Sequence, residues 1–234
     1  NYMTNPSELL DYILEISKMA STELVMMNQR KPHSRFIIPQ KRNESYRLSE
    51  QEFRVACINA IQRYNTPHLK LFFAVETPTF QTHMISGTTP MSARFDISLY
   101  ERINDKFDRV VDLEFKSHNA PMENIIKDLH KLVKENNIGA WFHVLQNCDR
   151  GTIKSLFDKF AFSLDYLINT GDYNLAPKRQ IFFVFLVVDR KLMISRTLNP
   201  DQLVDPQIHL EIDYDSMLTA QNNQTVNGWL ITRF

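Results

Sequence analysis

Glycine is scarce in this chain, with five residues among 234, and none of them cluster. That excludes a glycine-rich phosphate-binding loop, and no Gly-x-Ser-x-Gly nucleophile elbow is present either. The ten prolines are dispersed, so no Gly/Pro-rich linker divides the chain, and no internal repeat is visible. Cysteine is rarer still. Cys57 and Cys148 lie far apart, without the spacing of a zinc site or a disulfide framework, and read as reduced thiols. No apolar run is long enough to span a bilayer, the longest being the eight residues Ile181 to Val188. Glu8, Asp11 and Glu15 interrupt the apolar residues near the N-terminus, which removes the pattern of a secretion signal. The expectation is a soluble, cytoplasmic protein without membrane association. Charge excess is absent as well: 27 Lys and Arg balance 27 Asp and Glu, so a polyanion would have to be bound by a local patch.

What is present suffices for one good core, since 43% of the residues are hydrophobic. Asn5-Pro6-Ser7-Glu8 is a helix start, and apolar residues at helical spacing from Leu9 to Leu24 extend that helix over 6–27. Residues 29–47 lack periodicity and are the most basic stretch. Arg30, Lys31, Arg35, Lys41, Arg42 and Arg47 face one acid, Glu44, which suits a loop that either binds nucleic acid or is merely solvated. Ser49-Glu50-Gln51-Glu52 is a capping box that opens a second helix, reaching about residue 64. A turn at Asn65-Thr66-Pro67 precedes a strand over 69–76, and a loop with Pro78, Gly87 and Pro90 follows.

Two alternating segments come next. In Ala93 to Tyr100, Phe95, Ile97 and Leu99 share one face while Arg94, Asp96 and Ser98 share the other. In Val110 to Lys116, Val111, Leu113 and Phe115 oppose Asp112, Glu114 and Lys116. Asn104-Asp105-Lys106 suits a hairpin turn between them. Pro121 opens a helix with Ile125, Ile126, Leu129, Leu132 and Val133 on its buried side. Lys127, Asp128, His130 and Lys131 fall on the other, solvated side. A strand at 140–145, a helix at 152–169, strands at 180–188, 191–197 and 208–214, and nothing regular beyond Leu218 complete the reading. Phe157, Phe160, Phe162, Phe182, Phe183 and Phe185 have the spacing of core residues.

The order α-β-β-β-α-β over residues 49–146, with Phe95-Asp96 on the second strand and Glu114-Phe115-Lys116 on the third, resembles the PD-(D/E)XK nuclease superfamily. Phe95 departs from the pattern, because a proline usually precedes the first acid. The resemblance implies an α/β fold with a restriction-endonuclease-like αβββαβ core and a mixed central sheet. Residues 1–48 then form a helix and basic loop packed on that core, and 147–234 complete the same domain with a helix and strands.

Function follows from the same resemblance: a metal-dependent endonuclease that hydrolyses phosphodiester bonds, in DNA rather than RNA, in a restriction, phage-defence or repair setting. The residue chemistry agrees. Phosphodiester hydrolysis needs a hard cation, and Mg²⁺ takes one or two carboxylates plus water, which Asp96 and Glu114 supply; Mn²⁺ can substitute. Lys116 would contact the scissile phosphate and the attacking water. The plain alternative is a carboxylate pair on a solvated sheet face, neutralised by Lys116 and Arg94. Glu52 is either a helix cap or the extra acid that many family members place near the metal, and Glu50 could hold the same office. Glu76 reads as a strand-terminal surface acid, and Asp112 as an outer neighbour of the site. Lys127, Lys131, His118, Arg35, Lys41 and Arg42 are the candidate nucleic-acid contacts. A homodimer is an expectation by analogy with enzymes that cut both strands. The competing functions are a catalytically silent nucleic-acid or protein binding module, and an RNA endonuclease.

Overall fold

The computed structural model describes residues 4–43, 46, 48–64, 66, 68–80, 93–170, 180–203 and 205–234. The chain runs α1 (Pro6–Asn28), α2 (Glu50–Arg63), β1 (Phe72–Pro78), β2 (Arg94–Ile103), β3 (Lys106–Ser117), α3 (Met122–Lys134), β4 (Ile138–Leu145) and α4 (Arg150–Asn169). It continues through β5 (Ile181–Val187), β6 (Leu192–Leu198), three short helices α5 (Pro200–Leu203), α6 (Pro206–His209) and α7 (Tyr214–Thr219), then β7 (Thr225–Val226) and β8 (Trp229–Arg233). One mixed eight-stranded sheet results, in the order β1-β2-β3-β4-β5-β6-β8-β7. Only β3–β4 and β4–β5 are parallel. Among the described residues no helix is long and apolar enough to cross a membrane.

Helices cover both faces. Ile13, Ile16 and Leu24 of α1 and Phe53 and Ala56 of α2 pack on one face, against Val111, Leu113, Phe115 and Phe142. On the other, Ile125 and Leu129 of α3 and Phe157 and Phe160 of α4 pack on Trp141, Phe183 and Phe185. Strands β4 and β5 are buried along their whole length, as parallel strands covered on both faces are. Cys57 and Cys148 are buried, unpaired thiols, and burial lifts the pKa of Cys148 to about 11. Such thiols are inert.

Local sequence accounts for the β2–β3 hairpin. Asn104 and Asp105 have φ of 48° and 64°, the pair of left-handed residues that a tight hairpin turn requires. The adjacent valines that interrupt alternation in β3 have a cause too. The register steps from Leu99↔Val111 to Tyr100↔Arg109, so Val110 is the extra residue of a β-bulge.

Four expectations are corrected. Residues 208–214 form no strand. Pro206 opens α6, which holds Ile208 65% exposed, Leu210 caps that helix, and Ile212 lies in the irregular connection to α7. Regular structure does continue past Leu218, because Asn227-Gly228, with φ of 48° and 81°, is a hairpin turn joining β7 to β8. Phe162 lies 53% exposed on the outer face of α4 and is not core. On α3, Asp128, His130 and Lys131 are buried while Lys127 is exposed, because Asp128 and Lys131 turn towards Lys116 and Glu114 of β3 and the Arg94 carbonyl of β2. The loop with Gly87 and Pro90, and Asn65 and Pro67 of the preceding turn, lie outside the described residues.

Candidate active site

The β2–β3 ladder begins at Ile97↔Leu113, and the strands separate before Asp96. There the alternation of β2 breaks: Phe95 joins the α3/α4 core while Ile97 and Leu99 pack under α1 and α2. The Phe115 N–H donates to Asp96 Oδ2 at 2.8 Å, a side-chain acceptor at the point where the ladder ends. Asp96 is thereby held against the backbone between Glu114 and Lys116. From α2, Arg54 reaches to 3.6 Å of Asp96 Oδ1 and binds Glu76 at 2.8 Å.

Glu114 projects to the opposite face, towards α3, and is 2% exposed. Its Oε1 is paired with the Lys131 ammonium. Burial raises the Glu114 pKa well above the usual carboxylate range, and Asp128 and Asp96 add to the rise against the pull of Lys131 and Lys116. Lys131 also binds Asp128 Oδ1 at 2.8 Å and the Arg94 carbonyl at 2.9 Å. Asp128 Oδ2 accepts in turn from Lys116 at 2.7 Å. Burial lowers the affinity of both lysines for their protons, but the surrounding carboxylates outweigh it and both pKa values are raised. The lysines therefore hold the protons. Asp128 shifts down for the same reason, since Lys131 and Lys116 overcome the effect of its burial.

The structure brings Asp96, Glu114 and Lys116 together and treats the other sequence candidates unequally. Glu52 accepts from the Ser49 N–H at 2.7 Å and from the Ser49 hydroxyl, which completes the capping box at the start of α2. Glu50, at the first position of α2, is an electrostatic neighbour of the cluster. Burial raises its pKa, with Lys116, Asp96 and Asp128 as further electrostatic neighbours. Lys131, expected as an exposed phosphate contact, is 5% exposed and committed to Glu114 and Asp128. Lys127, Arg35, Lys41 and Arg42 are exposed. His118 is exposed too, but its Nε2 lies 2.8 Å from the Leu48 carbonyl, tying the end of β3 to the start of α2. Arg47 lies outside the described residues. Asp112 belongs to a separate buried network with Ser98 at 2.5 Å, Asn137 at 2.9 Å and Arg109 at 3.4 Å.

Sequence reasoning missed Arg54, Asp128 and the role of Lys131. Arg54 carries no motif signal. Asp128 lies three residues after Ile125 and just before Leu129, so it flanks the apolar stripe of α3 and could have been placed at the sheet.

Glu114 is not on a solvated face as the plain alternative has it, but the carboxylates are matched by cations, Lys131 for Glu114 and Arg54 near Asp96, in place of Lys116 and Arg94. Among the described residues no three Asp, Glu, His or Cys side chains form a ready-made metal centre. The donors nevertheless fit a hard divalent ion. Asp96, Glu114 and Glu50 offer only oxygens, and two carboxylates are what Mg²⁺ takes beside water. Counting Asp96, Glu114, Asp128, Glu50 and Glu76 against Lys116, Lys131 and Arg54, the cluster carries two more formal negative than positive groups, which favours a divalent cation. Comparison of the chain with protein-family models, with curated proteins and with solved structures finds no match.

Proposed function

We propose that this protein is a divalent-metal-dependent endonuclease on a restriction-endonuclease-like fold, hydrolysing phosphodiester bonds in DNA rather than RNA. The observation that carries the reading is the convergence of Asp96, Glu114 and Lys116 where β2 and β3 part, within an α-β-β-β-α-β succession. Asp96 and Glu114 would hold the ion, Mg²⁺ or Mn²⁺. Such an ion neutralises charge on the phosphate and lowers the pKa of water, the two demands of phosphodiester hydrolysis.

The remaining roles follow from this chain's own side chains. Lys116 keeps its proton at neutral pH, so its Nζ donates to a phosphate oxygen and does not serve as the base. Asp128, 2.7 Å away, fixes the direction of that ammonium. Glu50, half-buried and with its pKa lifted by burial, is the carboxylate suited to accept the proton of the attacking water. Arg35, Lys41 and Arg42 are exposed cations on the loop leading to α2, and Lys127 lies on α3; they would contact phosphates away from the scissile bond.

A cleavage assay on plasmid, single-stranded DNA and RNA in Mg²⁺, Mn²⁺ or EDTA tests this, with Lys116→Ala beside the wild type. Metal-dependent cutting that drops ~10²-fold or more in the variant is the expected result. The second reading, a binding module on the same fold, is favoured by one observation: Lys131 already neutralises Glu114. Nucleic-acid binding without cleavage on any substrate would decide for it.

A further inference from the structure

The Lys131 ammonium has three oxygen neighbours: Glu114 Oε1, Asp128 Oδ1 at 2.8 Å and the Arg94 carbonyl at 2.9 Å. Two carboxylates and a carbonyl around one positive centre are the ligand types that a hard divalent ion takes. We infer that Lys131 is a resident cation that competes with the divalent ion for Glu114 and so determines the metal affinity of the site. The inference rests on the metal-dependent reading above.

The geometry favours Lys131 over the other cations for this role. Arg54 stands 3.6 Å from Asp96 and is held more closely by Glu76 at 2.8 Å, so Asp96 is the loosely paired carboxylate. Lys116 is bound to Asp128 at 2.7 Å and to the Phe115 carbonyl at 3.2 Å, and makes no ion pair with Glu114. Glu114 is therefore the carboxylate whose release costs most, and Lys131 is what holds it. Asp128 gives the displaced ammonium somewhere to remain. Lys131 can keep its 2.8 Å contact there while its flexible stem moves Nζ off Glu114, with no shift of α3. Two positive centres cannot share a buried carboxylate without repulsion, so ion binding and the Lys131–Glu114 contact oppose each other.

The test is direct titration of Mn²⁺ into the intact protein by calorimetry, without nucleic acid and at alkaline pH, where proton competition is least. Lys131→Met should bind Mn²⁺ ~10-fold or more tightly than wild type, because a repelling charge a few ångströms from the ion is gone. Lys131→Gln, which keeps a donor for Glu114 and the Arg94 carbonyl, should shift in the same direction and covers the case where the methionine variant folds poorly. Lys154→Gln, which removes an exposed charge on α4, should bind as wild type does. Glu114→Gln should lose binding, which reports on the metal-dependent reading separately. Unchanged or weaker Mn²⁺ binding by both Lys131 variants, with Glu114→Gln still abolishing it, overturns the inference alone. No binding by any of the proteins overturns the inference and the metal-dependent reading together.

Discussion

Lys131 of α3 and Glu114 of β3 form an ion pair inside the protein, with Glu114 2% exposed. The carboxylate with the strongest claim to a divalent ion is thus already matched with a cation from the neighbouring helix. Asp96 is approached from the opposite layer by Arg54 of α2. The cluster's acids are thus paired within the protein and still outnumber its cations by two in formal charge, the surplus on which the proposed metal binding draws.

Asp128 bridges Lys116 and Lys131, so Asp128→Asn should cost about 2–4 kcal/mol at neutral pH, in the range for breaking a partly buried ion pair from one side. The pKa of Asp128 is lowered in the folded protein, so its stabilisation is present above the unfolded carboxylate value and is lost as pH falls through the folded one. Urea denaturation should show a gap between wild type and variant at pH 7 that narrows only once the pH falls below the ordinary carboxylate value. A gap of constant size across that range would mean the ionised carboxylate is not what stabilises.

Glu52 and Glu50 should separate cleanly. Glu52→Gln weakens the capping box and should cost about 1 kcal/mol of stability, with metal-dependent cleavage largely retained. Glu50→Gln should leave thermal unfolding close to wild type and lower cleavage by ~10²-fold, as loss of a general base does. Thermal melts and initial rates on one substrate decide between them, and the reverse pattern would restore Glu52 to the site.

The exposed loop cations predict a salt effect. Replacing Arg35, Lys41 and Arg42 together by alanine should weaken DNA binding on every sequence alike. The slope of log K against log salt should fall by about 0.9 for each phosphate contact removed. Fluorescence anisotropy over a range of NaCl concentrations measures this, and an unchanged slope would show that the basic loop does not touch DNA.

His143 should not titrate in the physiological range. It is fully buried on β4, between the Trp141 indole N–H and the His118 carbonyl, and burial depresses its pKa to about 3. Imidazole resonances in two-dimensional NMR should stay fixed from pH 8 to pH 5. Because the folded value lies below the unfolded one, the stability linked to His143 is present above the unfolded pKa and is lost as pH falls towards 3. A His143 midpoint near 6.5 would contradict this environment.

Much of the architecture is legible in the chain itself, because local rules decide it. The capping box at Ser49, the Asn104-Asp105 turn and the alternation of Val111 to Lys116 each specify an element within a few residues. The same alternation places Glu114 and Lys116 on one face of one strand. Where sequence reading failed, a local pattern lost to its surroundings. Ile208 to Ile212 alternates like a strand but follows Pro206. Asp128 and Lys131 read as a solvated helix face until β3 and the start of β2 are packed beside them. Which cation meets which carboxylate is a matter of tertiary structure alone. Residues 54 and 96, or 114 and 131, are joined by no periodicity, and only the stacking of α2 and α3 on opposite faces of the sheet brings Arg54 to Asp96 and Lys131 to Glu114. A buried carboxylate has to find a positive partner from whatever element covers it, so composition and period determined that acids would stand on these strands, and the packing of the layers decided what neutralises them.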